Sequence, residues 1–522
     1  MQLTFSDKIF SYTKKWVTEN MVPLMSALIT GFITYVYCFT NKLEIHDDLG
    51  NMFSQGYPVS SGRWGLALIE KIFPTASIPW LNGVVSILLL SVAICLIIKM
   101  FEIRSPLLQI LLAGTLMSFP SQMTTFAYMF TTIQYAAGLL LAVCGAYMLS
   151  RRDDRKNCIP AGTLLVFSLS IYQPYIAVTA SLLVVWCFRM TLQEEYTGKE
   201  TLLKGLRYIA VILASLAVYY GILAVVKRLS NTELNSYAEN NLNSIGDILK
   251  GFLVSYTSYA GYFVKGYYDM VRPGVSRIAH FILLGGILFL AVRHFAKEEA
   301  RKNGRLWCAV LCLLLLPLAV NCIHMISSLF HNLMTFSFTS FYVMAAVLLQ
   351  ECTQQRSGKA VRACIDLSAL SLCAVLIANV YFANAVYLKM YMQTEQAKGF
   401  YQTVIASLNQ QPDFDENSWI VFFGDRNAIK DYPLINTDNQ SGIKEGIIQT
   451  YAQNNFILYF LGVNLNINSL REDSIPEGWD EIINWDAVKS MPCYPAYGSI
   501  QKMAETNEGS IFFVRLGNSE GE

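Results

Sequence analysis

A short polar stretch between two apolar runs, residues 41 to 64, gathers Glu44, Asp47, Asp48, Arg63 and Trp64 into one loop. A carboxylate placed there can take the proton from an attacking hydroxyl, and a planar guanidinium such as Arg63 forks onto phosphate oxygens. The run before Asn41 is long enough to cross a bilayer, so Asp47 and Asp48 fall beside a headgroup layer, where partial desolvation suits a general base. Trp64, Leu68 and Ile72 recur at helical spacing, which predicts a helix lying in the interface plane. Blander readings exist for each residue: a solvated acidic loop, a salt bridge from Arg63 to Glu44, Asp47 or Asp48, and Trp64 as an interface anchor. Taken together, the group points to chemistry on an anionic, lipid-linked substrate.

The elements that must position this loop are strongly apolar. Hydrophobic residues make up 54% of the 522, charged residues 15%, and the mean hydropathy is +0.38, a balance that a soluble chain of this length does not reach. Apolar runs predict about 11 transmembrane helices, at residues 21–40, 80–98, 106–120, 131–149, 159–172, 174–188, 208–226, 278–292, 306–325, 333–350 and 363–388. Two or three are short, as broken or tilted segments inside a bundle would be. Lys and Arg accumulate at one set of span ends, from Lys8, Lys14 and Lys15 through Arg151, Arg152 and Arg155 to Arg301, Lys302 and Arg305. That asymmetry predicts a cytoplasmic N-terminus and an extracytoplasmic C-terminus. No cleavable signal is apparent, since the first twenty residues are polar.

From residue 389 the character changes. Acidic side chains outnumber basic ones 18 to 9, and two β-rich runs appear, Trp419 to Phe423 and Ile511 to Arg515. The expectation is a transmembrane module over 1–388 and a small extracytoplasmic α/β domain over 389–522. Eleven of the 12 cysteines lie in or beside apolar spans with no CxxC pair, and read as small core hydrophobes. No basic stripe interleaved with aromatics supports nucleic-acid binding.

Further candidates sit at the expected outer span ends: Gln122 after Phe119-Pro120, Tyr172 and Gln173 on a tight turn closed by Pro174, and His324 with His331. The turn pair equally suits a proline-closed hairpin without further role. A long outer loop over 227–277 brings Lys265, Arg272 and other cations together with many tyrosines. Such a loop can clamp a phosphate and a sugar, or meet anionic headgroups. Metal binding has thin support, because His46, Asp47 and Asp48 are neighbours in sequence and no HExxH exists. A divalent cation stays a possible cofactor only.

Asp47-Asp48, Ser61-Gly-Arg63-Trp64, Phe119-Pro120 and Ile171-Tyr-Gln-Pro174, in that order and at span ends, resemble the type II family of Gtr glucosyltransferases. The likeness runs over roughly the first 380 residues, and Met491-Pro-Cys-Tyr-Pro495 with Gly498-Ser499 resembles the family's C-terminal part. It implies a GT-C-like bundle in the bacterial cytoplasmic membrane that takes a hexose, glucose by inheritance, from a polyprenyl-phosphate donor. The acceptor it implies is a cell-surface polysaccharide, an O-antigen or cell-wall glycan, met at the outer face. An acidic residue of the first outer loop is then the catalytic candidate, Asp47 or Asp48.

In the mechanism so implied, that carboxylate deprotonates the acceptor hydroxyl while Arg63 and the basic outer loop stabilise the departing lipid phosphate, giving inversion in one displacement. One carboxylate suffices because phosphate is already a good leaving group, unlike the oxygen that glycosidases must protonate. A flippase or transporter of lipid-linked sugars, or a polysaccharide polymerase, is the rival. Ion-coupled transporters place ionisable groups near the bilayer midplane, whereas the charges of this chain lie in its loops.

Overall fold

The computed structural model describes residues 4–43, 45–72, 75–151, 154–235, 245–264, 273–325, 330–353, 358–424, 443, 448, 452–468, 478–507 and 509–517. Two compact units result, one made of Met1–Thr40 and Phe53–Ala385, the other of Asn41–Met52 and Val386–Glu522. The acidic end of the loop thus belongs to one unit and Arg63 to the other.

The first unit is a helical bundle. Among the described residues nine helices are long and apolar enough to cross a membrane, and every apolar run of the sequence forms helix. Runs 106–120 and 159–172, expected as spans, become the 12-residue helix Pro106–Met117 and the 18-residue helix Asp154–Ile171, and neither counts among the nine. Polar side chains inside the spans bond back to carbonyls one turn earlier, as with Thr34 to Thr30 (2.6 Å), Ser91 to Ile87 (2.7 Å) and Thr115 to Leu111 (2.8 Å). That bonding removes the cost of an unpaired hydroxyl in an apolar medium.

The stretch expected as a basic loop over 227–277 is corrected by the structure. Lys227 and Arg228 close the helix Gly198–Ser230, and residues Ile245–Val264 form a 20-residue helix. Its Tyr262 and Phe263 pack into an aromatic cluster with His280, Phe338 and Phe341, and Ser255 exchanges hydrogen bonds with Asn321. Lys250 is spent on Asp247 at 2.9 Å. Arg189, one residue beyond the expected span 174–188, is buried at the end of Tyr175–Leu192, with Glu102 at 2.9 Å and the ring of Trp186 at 5.0 Å from its guanidinium carbon.

One segment of the bundle is irregular and wholly buried. Residues 118–132 run through the short helix Pro120–Ala127 and the 3-10 turn Met129–Thr131 without one exposed side chain. Pro120 has no N–H for the ladder and biases Phe119 away from helix, which ends Pro106–Met117. Buried irregular backbone must find partners for its carbonyls, and side chains supply them. Tyr35 donates to Met117 O (2.6 Å), Cys38 to Phe126 O (3.6 Å), Asn82 to Met129 O (2.8 Å), Gln55 to Phe130 O (2.8 Å) and Asn332 to Pro120 O (3.3 Å).

Among the described residues the second unit is built round a four-stranded sheet in the order β2-β1-β4-β3, with β1 Trp419–Phe423, β2 Asn466–Asn468, β3 Ile500–Thr506 and β4 Gly509–Arg515. β1 is parallel to β2 and β4, and β3 is antiparallel to β4. Side chains alternate across the sheet. Ile420, Phe422, Phe512 and Val514 share one core with Leu49, Met52, Phe400, Tyr401 and Phe456, while Val421, Ile511 and Phe513 share another with Trp479, Val488 and Met491.

Candidate active site

Arg63 ends a tight turn that leads into the helix Trp64–Ile72. Its amide donates to the Pro58 carbonyl at 2.7 Å and that of Gly62 to Val59 at 2.9 Å. Gly62 has φ +75°, where side chains are strained, and an added Cβ would stand 2.8 Å from Gln173 Nε2. The turn is pinned from outside. Gln173 Nε2 donates to the Ser61 carbonyl (3.1 Å) and the Tyr219 hydroxyl (3.0 Å), and Tyr219 donates to the Gly62 carbonyl (2.8 Å). Gly65 lies so close to Ser170 that a side chain there would collide. Trp64, 8% exposed, packs with Val166, Leu169, Ile176, Tyr219, Leu223 and Ile323.

This scaffold fixes the guanidinium of Arg63. Nη1 donates to the Tyr135 hydroxyl at 2.8 Å, and the guanidinium carbon lies 5.4 Å from the ring centre of Tyr172 and 5.8 Å from that of Tyr135. The two rings stack at 4.5 Å, and Tyr175 meets Tyr172 edge-on at 5.0 Å. The tyrosine faces and the Tyr135 hydroxyl hold the guanidinium in one orientation.

Of the residues expected at the site, the structure brings Arg63, Trp64, Tyr172 and Gln173 together. Tyr172 does not point outward from its turn as expected: it is buried against Tyr135 because the Arg63 turn and the helix Thr132–Ser150 close over it. Gln122 is buried in Pro120–Ala127. His324 is buried too, 3.4 Å from Ser258 Oγ and stacked on Phe330 at 4.2 Å, and burial lowers its pKa. The neighbouring Ile323 belongs to the core round Trp64. His331 is half-buried at the start of the 3-10 stretch Asn332–Thr339. Glu44, Lys265 and Arg272 lie outside the described residues. Tyr135 and Tyr219 were not singled out by sequence reasoning, since each reads as one aromatic among many in an apolar span.

In the second unit, Asp47 and Asp48 lie in the first turn of His46–Gly50. They differ sharply. The Asp48 side chain is 0% exposed and accepts from Lys42 Nζ at 2.9 Å, while that of Asp47 is 37% exposed, with His46 Nε2 3.8 Å from its carboxylate. Leu49 and Met52 insert into the core beneath, and Asn455 caps the Leu49 carbonyl at 3.0 Å. Among the described residues no three His, Cys, Asp or Glu side chains are grouped to hold a metal.

Nine apolar helices of membrane length among the described residues define a polytopic helical membrane protein. A family model described as glucosyl transferase GtrII matches residues 36–350, more than half of the chain. The chain belongs to the GtrII glucosyltransferase family and is a glycosyltransferase. Neither curated proteins nor solved structures gave a significant match.

Proposed function

We propose that this enzyme transfers a hexose, glucose by its family, from polyprenyl phosphate to a cell-surface polysaccharide such as an O-antigen or cell-wall glycan. The reaction takes place at the outer face of a bacterial cytoplasmic membrane, with the N-terminus inside and the C-terminal domain, residues 389–522, outside. The observation that carries the donor reading is Arg63, a cation held over the faces of Tyr135 and Tyr172. A lipid phosphate leaving the anomeric carbon gains negative charge, and a preorganised guanidinium stabilises that charge without reorganising at the moment of reaction. Asp47 is the general base of this proposal and Asp48 its structural neighbour. A base must reach the proton it removes, and Asp48 is enclosed and committed to Lys42 whereas Asp47 is accessible. Attack by the deprotonated acceptor hydroxyl forms the new glycosidic bond as the bond to phosphate breaks, inverting the anomeric centre.

The test is incubation of the purified enzyme with polyprenyl-phosphate glucose and a panel of surface glycans, followed by mass spectrometry. Loss of the donor with a hexose increment on one glycan is expected. An intact donor with every acceptor, from enzyme shown to be folded, rejects the reading.

A further inference from the structure

The helix Phe5–Glu19 stands outside the packing of the bundle, and every side chain from Ser6 to Lys15 is exposed. A capping box sets its start: the Asp7 amide donates to Thr4 Oγ1 at 3.2 Å, and Asp7 Oδ2 accepts from the Thr4 amide at 3.0 Å. At about 100° per residue, Ile9, Phe10, Tyr12, Trp16 and Val17 fall in one arc of about 160°, interrupted only by the small hydroxyls of Ser6 and Thr13. Lys8 and Lys15 lie about 40–60° beyond one edge of that arc, and Lys14 about 40° beyond the other. Ile9 is 50% exposed, Phe10 72% and Tyr12 74%. A contiguous apolar patch of this kind marks an interaction surface.

Charge and position identify what covers it. Asp7 is committed to the cap and Glu19 to Lys15 and Lys99, at 3.9 Å each, whereas Lys8 and Lys14 have no ion pair among the described residues. The membrane-length helix Met21–Thr40 begins two residues after Glu19, so the end of Phe5–Glu19 sits at the membrane boundary. Asn20, between them, has φ −113° and ψ 20°, outside the helical region, so the two helices are not one rod. Lys99, in the last turn of Pro79–Met100, ties Glu19 to the end of a second span. We infer that Phe5–Glu19 lies in the headgroup layer on the N-terminal side of the membrane, with Ile9, Phe10, Tyr12 and Trp16 against the acyl chains and Lys8 and Lys14 on the phosphates of anionic phospholipid. Lysines on both edges of a sunken apolar arc reach the phosphates on either side of the helix. This surface is independent of the sugar donor and of the acceptor.

The experiment uses the full-length protein in nanodiscs of phosphatidylcholine, with or without phosphatidylglycerol. A fluorophore is attached at Tyr12→Cys, inside the arc, or at Ser11→Cys, opposite its centre, with the exposed Cys493 replaced by Ser and the Cys493→Ser protein as blank. Lipid carrying a doxyl quencher is expected to quench the label at position 12 at least about twofold more than the label at position 11, as an interfacial helix requires. Equal quenching at the two positions, or none at either, overturns the inference and leaves a helix in water or one covered by another protein. Hydrogen exchange of the Phe5–Glu19 amides in the unlabelled protein is expected to slow about tenfold or more when phosphatidylglycerol is present, at about fivefold per lysine. The double variant Lys8→Gln, Lys14→Gln is expected to lose that dependence while the bundle helices keep their protection. Exchange indifferent to phosphatidylglycerol in wild type, or equally dependent on it in the double variant, overturns the assignment to anionic phospholipid.

Discussion

Replacing Arg63 is the most direct trial of the anion site. Its guanidinium donates to the Tyr135 hydroxyl at 2.8 Å and lies 5.4 and 5.8 Å from two ring centres. Arg63→Met removes the cation. For a preorganised group that stabilises developing charge, the loss is about 3–4 kcal/mol, or roughly 10²–10³ in kcat. Arg63→Lys keeps the charge but not the planar fork or the stacking. A cation–π contact is worth about 0.5–2 kcal/mol depending on desolvation, so this variant should fall by about tenfold, between wild type and Met. Tyr135→Phe removes only the hydroxyl and should cost about 0.5–1.5 kcal/mol. The assay is single-turnover transfer from polyprenyl-phosphate glucose in detergent or nanodiscs, with saturation of the donor checked for each variant. The order wild type, Tyr135→Phe, Arg63→Lys, Arg63→Met is the expected outcome. Activity within threefold of wild type for folded Arg63→Met would refute the assignment.

The two adjacent aspartates should separate by phenotype: Asp47→Asn is expected to fold normally and lose about 10²–10⁴ in kcat, whereas Asp48→Asn and Lys42→Met should each lower stability. Breaking a buried pair costs about 3–5 kcal/mol, less here because Lys42 is 26% exposed, so about 2 kcal/mol is expected in chemical denaturation. Gly62→Ala should destabilise the Arg63 turn by roughly 1–2 kcal/mol, read as a lower melting temperature and a raised KM, since φ +75° and Gln173 both oppose a Cβ. His324 is buried in its neutral form, with its pKa lowered. Its contribution to stability is present above the unfolded value near 6.5 and is lost as pH falls below that, so melting temperature should drop as pH falls below about 6.5, and His324→Gln should flatten the drop.

How much was legible in the sequence follows from what each pattern reports. Long apolar runs carry their own evidence: nine of the eleven expected spans fall in membrane-length apolar helices among the described residues, whereas 106–120 and 159–172 form helices that are not among those nine. The helix Ile245–Val264 was hidden because Asp247, Lys250 and a run of Ser, Thr and Tyr dilute its apolar face, which only its neighbours Asn321 and Phe338 reveal. In the sheet, the two strands foreseen, Trp419–Phe423 and 511–515, are the central ones, β1 and β4. Among the described residues β2 and β3 are the edge strands, and they carry Asn466, Asn468, Gln501 and Lys502, the polar signature by which edges avoid aggregation, and so escaped the β pattern. Arg63, Trp64 and Gln173 could be named from residue type and position. Tyr135 and Tyr219 could not, because a polar residue in an apolar run acquires meaning only from what it touches.

The buried turn from Ser118 to Thr132 also bears on how the chain is made. Its carbonyls would be stranded in lipid if the segment left the translocon alone. Three of the side chains that donate to them, Cys38, Gln55 and Asn82, are encoded upstream and are already synthesised when Pro120 emerges, whereas Asn332 comes more than two hundred residues afterwards. Biogenesis can therefore lodge this stretch against its earlier neighbours at once, and the late-arriving asparagine fastens Pro120 when the remaining helices join.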